Sequence, residues 1–376
     1  MTNVCRGSIR SRQALLRLAV ASLLTGAALS GCSLGSSGAI PAPLNGTATR
    51  LADGRVLLAG GGWQTQRPVT AAAEIYDPAT RTLSATGPMT TPREHHTATL
   101  LSDGRVLVAG GSNDKDGGLG SAELYDPKTG KFSPTGSLSQ GSTGGLAVLL
   151  KDGRVLVLDT YSNQADLYDP ATAKFSPTGV PLEVRHGDAD AALMSDGRVL
   201  LVGGSDDQVH EMASAEIYDP STGAFSATGS MNSPRTSFTA TALSDGRILI
   251  VGGFADNAHI PTDSERYDPN LGTFAVSGTM LEPCAMQTAV RLTDGRVLVV
   301  GGTNQTDLAI SITQIYDPAS GNFSPSGSMR VTRYLPTATL LADGRVLVAG
   351  GEGDAEALRE SAEVYDPGSG TFSPAW

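Results

Sequence analysis

From residue 44 onward, apolar residues come in short runs broken by turn-forming residues, and none of these runs keeps the spacing of a helical face. Residues 97–101 read TATLL. Asp103-Gly104 follows, a pair suited to a tight hairpin because glycine accepts positive φ. Residues 105–111, RVLVAGG, are rich in β-branched side chains and predict a second strand. Residues 122–127, AELYDP, predict a third strand, stopped by a proline that cannot donate to a ladder. The segment DPKTGKF then turns the chain into a fourth. These strands are termed a, b, c and d.

The unit recurs. Asp-Gly-Arg starts at Asp53, Asp103, Asp152, Asp196, Asp245, Asp294 and Asp343, mostly 49 residues apart. Tyr-Asp-Pro starts at Tyr76, Tyr125, Tyr168, Tyr218, Tyr267, Tyr316 and Tyr365. Seven residues after each tyrosine stands an apolar side chain: Leu83, Phe132, Phe175, Phe225, Phe274, Phe323 or Phe372. A repeat of this period marks supersecondary units that stack on one another. Four-stranded units repeated radially make a β-propeller. The expected fold class is all-β, a seven-bladed propeller with four antiparallel strands per blade, over residues 44–376.

The apolar run ending in Gly-Gly, the spaced tyrosine and the second aromatic resemble the kelch family. Two features depart from the family pattern. Phenylalanine, or Leu83, stands where the family carries tryptophan on strand d, and blade 3 has Asp159-Thr160 in place of the glycine pair. No Trp-Asp or Gly-His punctuation recurs, which disfavours the WD40 type. Every predicted unit is complete, so no strand exchange is expected where the ring closes; residues 40–44 are expected to cover that seam.

An acid or amide precedes each tyrosine by two residues: Glu74, Glu123, Asp166, Glu216, Glu265, Gln314 and Glu363. Pairing with the Asp-Gly-Arg arginine would give one structural ion pair per blade. A catalytic pair would not need seven copies. The repeated residues are therefore scaffold, and function is expected where the repeats differ. The a–b and c–d turns share one, nearly invariant, face. The b–c and d–a connections share the other, and they vary, as binding loops on a rigid scaffold do.

Ten residues before each repeat aspartate stand Pro43, Arg93, Ser142, His186, Arg235, Cys284 and Arg333. In kelch domains that bind acidic peptides, arginines at such places contact the ligand. The resemblance thus implies that Arg93, Arg235, Arg333 and His186 ring the axial mouth as an anion-binding funnel. The competing reading pairs them with the loop acids Asp114, Asp188, Asp207 and Glu352. Trp63, Tyr161, Phe238, Phe254 and Tyr334 are off-repeat aromatics of the same face, suited to stacking on sugars, filling a peptide pocket or plugging the channel.

Residues 112–123, SNDKDGGLGSAE, mimic a calcium loop, but Glu123 already belongs to the repeat. The five histidines are dispersed without metal-ligand spacing, and no metal or cofactor is expected. Galactose oxidase carries a kelch propeller, and Cys284, Tyr161 and Tyr334 are of the residue types its copper-radical centre uses. No GxSxG, HExxH or P-loop string is present.

The N-terminus reads as a processed segment. Arg6, Arg10, Arg12 and Arg17 precede an apolar stretch, Leu18–Leu29, too short to span a bilayer. Leu29-Ser30-Gly31-Cys32 resembles a bacterial lipobox. That resemblance implies a signal peptide over 1–31, lipidation of Cys32, and a tether over 32–43. Net charge is −11 for the 376 residues and −15 without the leader arginines, unsuited to binding nucleic acid through a broad basic surface. Cys284 has no disulfide partner in the mature chain. The expected function is a lipid-anchored, monomeric, non-enzymatic binding module on the periplasmic or cell-surface side, with a protein or glycan ligand. The alternatives are a copper oxidase or carbohydrate-active enzyme, and a structural component of the cell envelope.

Overall fold

The computed structural model describes residues 45–62, 68–159, 162–178, 188–206, 210–306, 308–353 and 361–376. The expected signal segment, Cys32 and the tether lie outside the described residues, as do residues 40–44 at the seam. Among the described residues, no helix is long and apolar enough to cross a membrane.

Seven four-stranded antiparallel sheets follow one another along the chain, over residues 47–85, 97–134, 146–177, 190–227, 239–279, 288–325 and 337–374. Each has the strand order a-b-c-d. In blade 2 the strands are Thr97–Leu100, Val106–Ala109, Ala122–Asp126 and Lys131–Pro134. Each strand a contacts the strands a of its two neighbours, and that of blade 7 (Thr337–Leu340) meets that of blade 1 (Thr47–Arg50), so the ring is closed. Strand b is fully buried in every blade. It is the strand clad on both faces by neighbouring blades, which explains its unbroken Val/Ile/Leu content.

Each apolar cluster between strands joins two adjacent blades. Tyr168 of blade 3, for example, packs among Leu101, Leu107 and Leu124 of blade 2. The tyrosine ring also sits 4.8 Å from Phe175 of its own blade, and its hydroxyl meets Thr135 of blade 2 at 2.8 Å. The same latch links Tyr125 to Thr86, Tyr267 to Thr228, Tyr316 to Ser277 and Tyr365 to Ser326. One residue type thus fills an interface and satisfies its own polar tip.

The Gly-Gly pair is required by close backbone approach. Gly60 and Gly61 have φ of 63° and 98°, and a Cβ on Gly60 would lie 2.5 Å from the carbonyl oxygen of Arg93. The Gly61 N–H donates to that carbonyl at 2.8 Å, and Gly204, Gly253 and Gly302 donate likewise to Arg235, Cys284 and Arg333. In these blades the glycine pair is therefore the dock for the next blade's incoming loop.

The Asp-Gly-Arg arginine does not pair with the strand-c acid, as the sequence suggested. It folds back on its own turn: Arg105 meets Asp103 at 2.6 Å, and all seven copies do the same within 3.0 Å. Two residues is the separation at which a hairpin turn returns the side chain onto its own aspartate. Hydrogen bonds from Arg55 and Arg105 hold the Asp53 and Asp103 carboxyls below the usual carboxylate range. Arg154 and Arg345 also donate to the next blade at the carbonyls of Pro220 and Pro78.

The seam closes without strand exchange. Blade 1 has Leu83 where the other blades have phenylalanine, and Tyr76 stacks instead on Trp376, the last residue, at 5.6 Å. Ala375 stands where the other blades place the threonine or serine of the latch, and the Tyr76 hydroxyl donates to its carbonyl at 3.4 Å. Arg81 donates to Ser373, and Thr339 to the Ala48 carbonyl.

Candidate functional site

The three arginines expected at the axial mouth are interior scaffold. Arg93, Arg235 and Arg333 are each 0% exposed. Arg93 donates to the carbonyls of Gly110 (2.7 Å) and Ser121 (3.0 Å), to Ser121 Oγ (3.1 Å) and to Glu123 Oε1 (3.1 Å). Arg333 repeats the pattern on Gly350, Ser361 and Glu363. Arg235 donates to Gly252 and lies 3.4 Å from Glu265 and 3.5 Å from Asp263. Their partners are the strand-c acids rather than the loop acids. Burial draws the Arg93 and Arg333 guanidinium groups below their ordinary pKa, and Glu123 and Glu363 resist the shift. The same carboxylates accept loop N–H groups: Thr90 and Thr91 on Glu123, Asn232 and Ser233 on Glu265, Arg330 on Glu363. The ion pairs thus hold the d–a loops in place from beneath. The funnel expectation is corrected accordingly, because a ligand on the surface does not meet these guanidinium groups.

Blade 6 matches this place without charge. In blade 6, where Cys284 replaces arginine, the acid is Gln314, which accepts from Leu281 N–H at 2.9 Å and donates to the Glu282 carbonyl at 2.8 Å. Cys284 is 1% exposed, and burial pushes its thiol up to about 12.

A second ring on the variable face lies two positions later: Asn45, His95, Gly144, Asp188, Ser237, Met286 and Leu335. All but Gly144 have φ between 52° and 58°. Their backbones are chained blade to blade, with His95 N–H on the Asn45 carbonyl, Ser237 on Asp188, Met286 on Ser237 and Leu335 on Met286, at 2.7–3.3 Å. Blades 1, 2, 4 and 5 contribute polar side chains to this rim, blades 6 and 7 apolar ones. Leu335 is 41% exposed, and Leu281 and Leu308 of the blade 6 connections are 54% and 55% exposed. This ring was missed in the sequence because its side chains share no residue type. Its signal was a constant offset from Asp-Gly-Arg, eight residues rather than ten.

One position after the rim lies the residue that packs under the glycine pairs, such as His96 and Phe238. His96 is 5% exposed, with Nε2 3.1 Å from Thr47 Oγ1; burial, with Arg93 and His95 nearby, lowers its pKa to about 3. Phe238 is 6% exposed and would clash with a Cβ on Gly203 or Gly253. It is a packing residue and does not offer a stacking surface. Phe254 is 7% exposed, buried against Ile260 and Ala285. Tyr334 is half-buried on the variable face, its hydroxyl on Glu352. Glu352 and Glu94, of the same face, have pKa values raised by burial. Trp63, Tyr161, His186 and Asp207 lie outside the described residues.

The calcium-like string 112–123 forms a small hairpin, Ser112–Asn113 against Gly117–Gly118. Asn113 Oδ1 accepts the N–H groups of Lys115 and Asp116, and Glu123 is committed to Arg93. Among the described residues, no three His, Cys, Asp or Glu side chains converge to hold a metal. The described residues do not fit a copper-radical centre: the Cys284 thiol is enclosed in apolar core, and Tyr334 is bound to Glu352.

A search of the curated proteins finds no match to the chain. The family model for the kelch motif matches residues 95–139, which span blade 2. Among solved structures, a fungal alcohol oxidase of the AA5 family, in complex with copper, matches with a TM-score of 0.70. It is 17% identical, over 89% of this chain and 77% of that one, a likeness that shows the fold alone. Repeat, register and ring closure agree with both matches, and the chain is a seven-bladed β-propeller, one blade of which matches the kelch motif.

Proposed function

We propose that the protein is a binding module, held outside the cytoplasm by a lipid on Cys32, that presents the variable face of its propeller to a protein or glycan ligand. The observation that carries this reading is the contrast between the two faces. On one, the seven aspartate–arginine turns are alike and satisfied within themselves. On the other, a rigidly chained rim displays unlike side chains, polar on one arc and apolar on the next, with Leu281, Leu308 and Leu335 exposed. Exposed apolar side chains beside polar ones on a fixed backbone are what a recognition surface supplies. The buried arginines do not belong to that surface. The ligand contacts fall to Leu335, Leu308, Met286, Tyr334 and His95.

The test compares wild type with Leu308→Asp and Leu335→Asp in binding to an array of cell-wall glycans and to cross-linked envelope proteins. A specific ligand retained by wild type and weakened at least tenfold by either substitution, with unchanged melting temperature, supports the reading. Equal binding by all three proteins overturns it. Stoichiometric copper uptake with alcohol turnover would favour the oxidase alternative instead.

A further inference from the structure

Blade 3 breaks the charge rule that blades 2, 5, 6 and 7 obey. Blades 2, 5 and 7 pair a buried arginine with a glutamate, and blade 6 pairs a thiol with an amide. Blade 3 keeps the acid, as Asp166, but has Ser142 in the arginine's place, its hydroxyl donating to the Gly144 carbonyl at 3.1 Å. It also carries Asp159 where the six other blades carry the first glycine of the pair.

The strand register places these groups together. Asp159 is opposite Gln164, and Val157 is opposite Asp166. With a side-chain period of two, Asp159, Gln164 and Asp166 share one face of the blade. That face borders a cavity of about 10 Å³, room for about one water-sized occupant, also lined by Gln140 and Ser142. Asp166 is 3% exposed. Its Oδ2 accepts from the Ser139 N–H and hydroxyl at 3.1 and 2.8 Å, while its Oδ1 is buried without a hydrogen-bond partner. Buried carboxylate oxygens need a cation or a donor. In the homologous place the fold supplies a guanidinium.

We propose that this cavity in blade 3 binds a hard, oxygen-coordinated cation, calcium, that does the work of the missing arginine. The polar side chains of the lining are two carboxylates, two carboxamides and a hydroxyl, which are oxygen donors without thiol or imidazole. The buried Asp166 carboxylate supplies the negative charge. An irregular donor set drawn from two strands and a loop suits calcium, whose coordination is flexible, better than magnesium, which demands a near-ideal octahedron. The bound ion would tie the loop at residues 138–142 to strand c, as Arg93 ties its own loop to Glu123.

The experiment uses the full chain, stripped with EDTA and titrated with calcium, magnesium or sodium chloride by calorimetry and thermal unfolding. The expected result is one calcium per chain, a melting temperature raised by several degrees, and affinity at least tenfold weaker in Asp166→Asn. Asp114→Asn/Asp116→Asn, in the exposed hairpin, leaves both unchanged. Ser142→Arg, which restores the cation covalently, raises the calcium-free melting temperature and abolishes the calcium response. No calcium binding up to about 10 mM, above the range of weak extracellular sites, overturns the proposal. So does binding that survives both Asp166→Asn and Ser142→Arg, or tighter binding of magnesium or sodium at the same residues. Should Ser142→Arg fail to fold, the response of Asp166→Asn decides.

Discussion

Removing the Arg93 side chain should damage the fold and leave the variable face chemically unchanged. Arg93→Met keeps most of the apolar stem and removes four donated hydrogen bonds, to Gly110, to Ser121 twice and to Glu123. The Glu123 carboxylate keeps the N–H groups of Thr90 and Thr91 but stays buried, 1% exposed, without its counter-charge. Breaking a buried pair from one side costs about 3–5 kcal/mol. With an unfolding entropy of about 2.1 cal/mol/K per residue, a propeller of this size unfolds with about 0.7 kcal/mol/K, so the melting temperature should fall by about 4–7 °C.

The double variant Arg93→Met/Glu123→Gln makes the argument specific. It copies the neutral solution that blade 6 uses at Cys284 and Gln314. It should recover at least about 2 kcal/mol of the loss, because the uncompensated charge is gone. Urea unfolding at pH 7, followed by circular dichroism and by tryptophan fluorescence, measures both variants. An Arg93→Met protein within about 1 kcal/mol of wild type, or a double variant no more stable than the single one, would refute the reading of these arginines as loop-holding scaffold.

Three further outcomes follow from the interior. Trp376→Ala should cost about 2 kcal/mol by opening the Tyr76 stack at the seam, and Leu83→Phe, which gives Tyr76 a partner within its own blade, should recover part of it; calorimetric melting of the three proteins checks this. The pKa of His96 is about 3 in the fold and near 6.5 in the unfolded chain, so the unfolded state takes up the proton first. Stability should fall by about 1.4 kcal/mol per pH unit as pH drops below 6.5, and His96→Phe, copying Phe238, should flatten that slope in urea titrations between pH 7 and 4.5. Asp190 has the opposite sign: burial raises its pKa to about 6, so the fold takes up the proton first and gains stability as pH falls from about 6 towards 3.8. Asp190→Asn should remove that gain, at most about 3 kcal/mol, in the same titration.

The fold was legible because it is written seven times. Any single TATLL or AELYDP segment is an ambiguous strand, but the fixed offsets among Asp-Gly, Gly-Gly and Tyr-Asp-Pro leave one arrangement that buries all of them. The partner of each charge was less legible. Both the turn arginine and the loop arginine lie within reach of an acid in sequence, and only the backbone path shows that the first returns to its own aspartate. The offset of the exposed rim differs by two residues from that of the arginines. Over two residues the left-handed turn at His95 or Leu335 carries the chain from the interior to the rim.

A chemical signal for the buried position was nonetheless present. Gln314 is the single amide beside six strand-c acids, and Cys284 stands in its blade where arginine stands in three others. A neutral residue facing a neutral one, and a cation facing an anion, is the signature of a pair sealed from water, because solvent-exposed charges are under no such constraint. Ligand contacts on the surface carry no comparable rule, since each rim residue answers to the ligand and not to a neighbour. Covariation within the repeats of one chain therefore separates the load-carrying interior of a propeller from its recognition face. Among the blades in which both positions are described, it singles out blade 3, where Ser142 faces Asp166, as the place where that rule points to a charge from outside the chain.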